Sequence, residues 1–337
     1  MADHEQNTKN RWYRNDDVTG IPGPDREIPG YGPRPPRVRW NGDAKLAINV
    51  VVNYEEGSEH SFAMGDGHNE GMHEIPFHVE GQRDLAKESF FEYGSRAGIW
   101  RLFRVFDRHE IPATIFGSAV ALERNPAVAE KMIERGDDLV GHGYRWIDHY
   151  EYSRDEEKVV IDRAMNSFES LGLATNGWYC REMSVNTREL LVEDGRFAFD
   201  SDYYGDDIPH WTQVGGKSHL VVPYSLVVND CRYVMGTGYA SPTDFVDTAK
   251  RTVLQLLDDG DDCGRMMSIG LHPRITGNPA RAHALAEFIA WAKGLDGVTF
   301  MRRSDIADQF IAQVPAPAAT HSRSGVQDNQ REPDLVA

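Results

Sequence analysis

Residues 46–57 read LAINVVVNYEEG. Leu46, Ala47, Ile48, Val50, Val51 and Val52 form a largely β-branched, nearly continuous apolar run. That is the composition of a strand buried on both faces, as in a parallel sheet. The run leads into two adjacent carboxylates, Glu55 and Glu56, and then Gly57, a residue suited to a tight exit. Such a strand holds a charged pair at the mouth of an α/β fold, where the C-terminal strand ends meet.

On the N-terminal side, residues 1–40 are polar and rich in Pro and Gly, and read as an extended arm that packs down through Trp12, Tyr13, Tyr31 and Trp40. On the C-terminal side, HSFAMGDGHNEGMHEIP has no periodicity and reads as a long loop near the strand's end. Helical spacing follows in Ile99, Leu102, Phe103 and Phe106. Strands are expected at PATIF (112–116), Leu139-Val140, NGWYCRE (176–182), FAFDSDYYGDD (197–207), HLVVPYSLVV (219–228), RMMSIGLHPR (265–274) and GVTFM (297–301). Between them lie helices opened by Asn125-Pro126, the Ser153/Glu156 capping box, Ser241-Pro242 and Asn278-Pro279. About seven strand–helix repeats without a composition break give one irregular α/β barrel over 41–314. Residues 315–337 have few large apolar side chains and read as a disordered tail.

The chain has 337 residues, with 36 Lys+Arg against 53 Asp+Glu and a net charge of −17. An acidic field does not attract nucleic acid or anionic membrane surfaces, and it suits a small neutral or cationic substrate. No apolar run approaches the ~18 residues of a membrane span, and the polar N-terminus has no signal-peptide core. Cys180, Cys231 and Cys263 are three in number and lack metal-ligand spacing. A cytoplasmic protein is expected. The aromatic arm and Trp211 suggest a homo-oligomer.

Polar residues collect at strand ends: Glu55 and Glu56, His142, Arg181, Asp200 and Asp202, and His272. In a barrel these ends share one face, so residues distant in sequence converge on one pocket. The chemistry of such a set is hydrolysis. A carboxylate takes a proton from water, a histidine on the opposite wall protonates a leaving nitrogen, and an arginine holds an oxyanion. Glu55, Glu56, His142, Arg181, Asp202 and His272 are the candidates for such a site.

Taken together, NYEEG (53–57), GDGHNE (65–70), ESFFEYGSRAGIWR (88–101), GHGYRW (141–146), GWYCRE (177–182), NTRELL (186–191), FDSDYYGDDIPHW (199–211), VPYSLVVND (222–230) and GLHPRITGNPAR (270–281) resemble the polysaccharide deacetylase superfamily. Within it they are similar to the branch of metal-independent allantoinases and cyclic-imide hydrolases. The resemblance implies an irregular seven-stranded (β/α) barrel. In metal-dependent members an aspartate pair supplies a base and a metal ligand, and His-x-x-x-His completes the metal site. Here the pair falls on Glu55 and Glu56, the first histidine on His142, and the second on Trp146. Indole offers only an N–H donor, so the ligand set is broken and no metal cofactor is expected. The resemblance implies hydrolytic opening of a cyclic ureide or imide, allantoin to allantoate being the leading case, with Glu55 as base and His272 as acid; Arg181 is expected to act beside them, and Glu56, His142, Trp146, Trp178 and Asp202 to bind the substrate. Two positions depart from the branch: the arginine after GWY stands one place early at Arg181, and Pro273 replaces a cysteine. The alternative is a metal-dependent N-deacetylase of an amino sugar or related acetamide, using Glu56, His142 and an unrecognised third ligand. A third reading is a barrel that binds a ligand without turning it over.

Overall fold

The computed structural model describes residues 23–317, apart from 25, 72–74 and 76. Most of the arm and all but the first residues of the tail lie outside the described residues. The strands are β1 (Leu46–Tyr54), β2 (Thr114–Gly117), β3 (Asp138–Gly141), β4 (Gly177–Trp178), β5 (Phe199–Asp200), β6 (His210–Val214), β7 (Lys217–Val221), β8 (Arg265–Leu271) and β9 (Val298–Phe300). They form one curled sheet in the order β6-β7-β5-β4-β3-β2-β1-β8, with β9 paired to β1. Seven strands from β7 to β8 run parallel, and β6 adds an antiparallel edge. Beyond β7 the chain bridges back to β8 at Asn229 and Gly270, which draws the two ends of the curl together.

β1 is the longest strand and pairs with three others. One edge pairs with β8 over its first seven residues, and the other is shared by β9 and β2. All nine residues are buried. Leu46, Ile48, Val50, Val52 and Tyr54 pack outward under the helices, whereas Ala47 and Val51 pack inward with Phe116, Val140, Phe199, Leu220 and Tyr224. This period of two continues past the strand's end. Glu55 falls on the inward face, in line with Asn49 and Asn53. Glu56 falls outward, toward the helices.

The helices are α1 (Leu85–Tyr93), α2 (Ile99–His109), α3 (Ala119–Arg124), α4 (Pro126–Arg135), α5 (Arg154–Ser170), α6 (Thr187–Asp194), α7 (Pro242–Asp259), α8 (Pro279–Lys293) and α9 (Arg303–Gln313). The expected helical face of Ile99, Leu102, Phe103 and Phe106 is buried. Both serine starts are capping boxes, Ser153 with Glu156 and Ser241 with Asp244. Between α1 and α2, Gly94–Gly98 forms a π-turn rather than a break. A methyl at Gly94 would overlap the Glu56 carboxylate and approach the Arg274 amide at 2.8 Å, so the missing side chain lets this helix lie against the site.

Two expected strands are much shorter in the structure. NGWYCRE contributes only Gly177–Trp178, and FAFDSDYYGDD only Phe199–Asp200. After each, the chain leaves the ladder to line the pocket, and Asp202 accepts from the Cys180 N–H at 3.0 Å. In HLVVPYSLVV the strand ends at Val221, and the last bond to β5 is from the Val222 amide to the Asp200 carbonyl, just before Pro223. Its partner β6, absent from the sequence reading, is the other arm of a hairpin. The turn is Gly215-Gly216, both at positive φ, as a two-residue hairpin turn requires.

Candidate active site

Glu55 is 1 % exposed and sits among three cationic or imidazole groups. Its Oε1 lies 3.3 Å from His142 Nε2 and 3.5 Å from His272 Nε2, and its Oε2 lies 2.8 Å from Arg274 Nη2. Burial alone would raise this carboxyl. The Arg274 charge, then His272 and the histidine hydrogen bonds, outweigh it and hold Glu55 well below the usual carboxylate range. Glu56 is also buried, but the nearest nitrogen of the Arg274 guanidinium is 3.6 Å away. Burial there outweighs Arg274, and the neighbouring Glu55 charge adds to it, so Glu56 is pushed up to about 7. The two acids that adjoin in sequence therefore differ in charge near neutrality. β1 supplies the difference by pointing them to opposite faces.

His272 follows β8. Its Nδ1–H donates to Asp230 Oδ1 at 2.6 Å, which leaves Nε2 facing Glu55. The other Asp230 oxygen accepts from the His272 amide and from Thr276 Oγ1, each at 2.7 Å. Burial works against a charged ring. Its electrostatic interactions with Cys231, Glu55 and Asp230 overcome that, and His272 is raised well above its ordinary value. His142 follows β3, donates through Nδ1 to the Tyr179 carbonyl at 2.8 Å, and stacks on the Tyr179 ring.

Arg274 did not figure among the sequence candidates, yet it lies at the centre of the site. It is buried, its guanidinium lies over Phe91 and Trp146 at 4.7 and 5.1 Å, and Nη1 has no hydrogen-bond partner among the described residues. Pairing with Glu55 and Glu56 keeps it charged despite burial. The only signal in the sequence is its position two residues after His272.

Glu55, Glu56, His142 and His272 are thus brought together, with Trp146 beside them. Arg181 is not part of this cluster. It binds Glu70 at 2.5 Å and Asp148 at 2.8 Å and covers the outer face of Trp146 at 4.1 Å. Its charge is engaged by the acids of the loop, and the guanidinium that reaches the Glu55–Glu56 pair is that of Arg274. Trp178 is 0 % exposed and packs on Phe197 and His149, a core residue rather than pocket wall. Asp202 lies further round the rim, where burial and the adjacent Asp200 charge raise it well above its ordinary value. Asp200 is bound by Arg188 at 2.7 Å and His219 at 3.0 Å, a structural knot behind the pocket. A cavity of ≈ 690 Å³ lined by Phe90, Tyr93, Tyr233, Tyr239 and Arg281 meets this cluster at Arg274.

The deacetylase metal position would draw on Glu56, His142 and Trp146. Both Glu56 oxygens already accept, from the Glu55 amide at 3.0 Å and the Arg274 amide at 3.2 Å. The guanidiniums of Arg181 and Arg274 both lie against the Trp146 ring, at 4.1 and 5.1 Å. A fixed cation, Arg274, already neutralises the acids. These residues do not fit a divalent ion at that position.

A sequence model described as polysaccharide deacetylase matches residues 88–188. A Schizosaccharomyces pombe protein assigned as a polysaccharide deacetylase is 33 % identical over 316 residues, covering 87 % of this chain and 99 % of the relative. A crystal structure described as a probable polysaccharide deacetylase from Pseudomonas aeruginosa PAO1 superposes with a TM-score of 0.83 at 40 % identity, covering 86 % of this chain and 99 % of that one. The crystal structure of PuuE allantoinase gives the same TM-score of 0.83 and 40 % identity over 86 % of this chain and 98 % of its own.

Proposed function

The chain belongs to the polysaccharide deacetylase family of hydrolases, and on that premise we propose that it opens a cyclic ureide or imide ring by metal-independent hydrolysis, allantoin to allantoate being the leading case. The observation that carries this reading is Arg274, a buried guanidinium bound to Glu55 and directed at Glu56. Likeness to PuuE allantoinase supports the choice of ring.

In the resting site Glu55 is a carboxylate and His272 an imidazolium, the charge states that a base and an acid need before the reaction starts. A ring carbonyl entering beside Arg274 finds the unpartnered Nη1–H as a donor. As Arg274 turns toward the developing oxyanion, Glu55 loses part of the charge that depressed it and becomes the stronger base. Water transfers a proton to Glu55 while its oxygen bonds to the carbonyl carbon. The C–N bond then breaks as His272 Nε2–H protonates the leaving nitrogen, with Asp230 holding Nδ1 throughout. A protein cation supplies the electrostatic stabilisation, which suits ureide and imide carbonyls more electrophilic than a simple acetamide. The active protein is proposed to work as a cytoplasmic homo-oligomer.

Chelator-treated protein should turn over allantoin, a hydantoin or succinimide at an unchanged rate, and Glu55→Gln should lose about 10²–10⁴-fold in kcat. Turnover that appears only with an added divalent ion, on a ring or on an N-acetylated sugar, overturns the proposal. The second outcome is the deacetylase reading that the relatives' descriptions favour.

A further inference from the structure

Cys231 takes no part in the ring opening described above, yet its sulfur lies 3.7 Å from His272 Nδ1 and 3.8 Å from Nε2. Its placement is local. Asn229 Oδ1 accepts from the Cys231 amide at 2.8 Å and starts the short 3-10 turn Asp230–Tyr233. The turn presents Asp230 and Cys231 side by side to the ring of His272. One carboxylate oxygen, one sulfur and one imidazole nitrogen lie within 4.8 Å of one another. Asp230 and His272 are buried, whereas Cys231 is partly exposed and gives a way in.

We propose that Asp230, Cys231 and His272 form a site for a thiophilic divalent cation such as Zn²⁺ or Cd²⁺, separate from the family's metal position, and that filling it switches the enzyme off. Thiolate, imidazole and carboxylate are the donor types that zinc takes. Bond lengths of about 2.0 Å to N or O and 2.3 Å to S imply tetrahedral edges of roughly 3.3–3.6 Å. The sulfur–nitrogen distance is already close to that. The Asp230–His272 pair at 2.6 Å must open by less than about 1 Å. Arg274 is no rival for these ligands, because its charge is engaged by Glu55 and Glu56. Loading releases two protons, one from the thiol and one from His272 Nδ1, and water takes the fourth position. The thiolate and carboxylate balance the two positive charges. His272, bound through Nδ1, is then a neutral ring whose Nε2–H is a much weaker acid than the imidazolium.

Metal binding does not depend on the substrate reading; inhibition does. The whole protein, first stripped with chelator, is titrated with Co²⁺ and followed by its thiolate-to-cobalt charge-transfer absorption. One equivalent is expected to bind with that band, and Cys231→Ser to abolish the band and weaken binding at least about tenfold. Cys180→Ser and Cys263→Ser should keep it. Zn²⁺ should lower ring hydrolysis at least about tenfold, reversibly with chelator, in the wild type but not in Cys231→Ser. Cys231→Ala serves as a second variant should serine disturb folding. Absence of the band, or its persistence in both Cys231 variants, overturns the proposal. A band without any ring turnover supports the metal site and counts against the substrate reading alone.

Discussion

At the residue scale, one guanidinium sets the chemistry of two carboxylates. The Arg274 guanidinium lies 2.8 Å from Glu55 and 3.6 Å from Glu56 and favours the charged form of both, but burial outweighs it at Glu56 alone, so the two acids end on opposite sides of the ordinary value. Arg274→Lys keeps the charge but loses the fork that reaches both an acid and a carbonyl oxygen. Its kcat/KM is expected to fall about 10²–10³-fold with little change in melting temperature, measured by steady-state kinetics and thermal unfolding. Glu56 gives a prediction for stability. Folded, it holds its proton to about pH 7, whereas unfolded it releases it near the ordinary value of 4.5. The folded state therefore binds the extra proton between these values, and the contribution of Glu56 to stability falls as pH rises through that window. Relative to the wild type, Glu56→Gln should gain stability between pH 5 and pH 8, read by denaturant titration at each pH. His272 has the opposite use: raised well above 6.5, it should keep its acid form through neutrality, so that kcat/KM falls only on the alkaline side of the ordinary histidine range. A pH–rate profile that already falls at pH 6.5 would contradict that role. Of the site, Glu55, Glu56, His142 and His272 were legible in the sequence because each directly follows a strong strand signal. Arg274 was not, because beyond Pro273 the backbone has left the strand and no period says where a side chain points.

At the element scale, the π-turn Gly94–Gly98 and the 3-10 turn Asp230–Tyr233 place the site's supports. The wide turn allows α1 and α2 to act as one rod that brings Phe91 over Arg274 and the backbone of Gly94 against Glu56. Gly94→Ala should displace Glu56 or the Arg274 segment. We expect about 1–3 kcal/mol of destabilisation by overpacking and at least tenfold lower kcat, both larger than for Ala at the open Gly71. Helical spacing identified the apolar face of α2, but a π-turn inserts a residue without altering the apolar residues on either side. The β6–β7 hairpin was missed for a different reason. Its strand β6, HWTQV, is only partly buried, so the apolar pattern is weak and the Gly215-Gly216 turn was the sole clue.

At the scale of the whole molecule, Arg303 ties the interior together. It is 0 % exposed and donates to Ser201, Asn49, Ser268 and the carbonyls of Val222 and Pro223, linking β1, β8 and the ends of β5 and β7. Burial pulls its guanidinium down to about 10. Arg303→Met should leave five acceptors without their donor and cost about 3–5 kcal/mol, a loss measurable by chemical denaturation. By itself the sequence determined the parallel sheet, the burial of β1 on both faces and the pair of acids at its end, because strand period and apolar composition are local properties of the chain. Only the tertiary structure decided that Arg274 rather than Arg181 neutralises those acids, and that Trp178 belongs to the core. The reason is physical: long side chains go to whichever opposite charge or apolar wall folding brings nearest, and Arg274 meets Glu55 across more than two hundred residues.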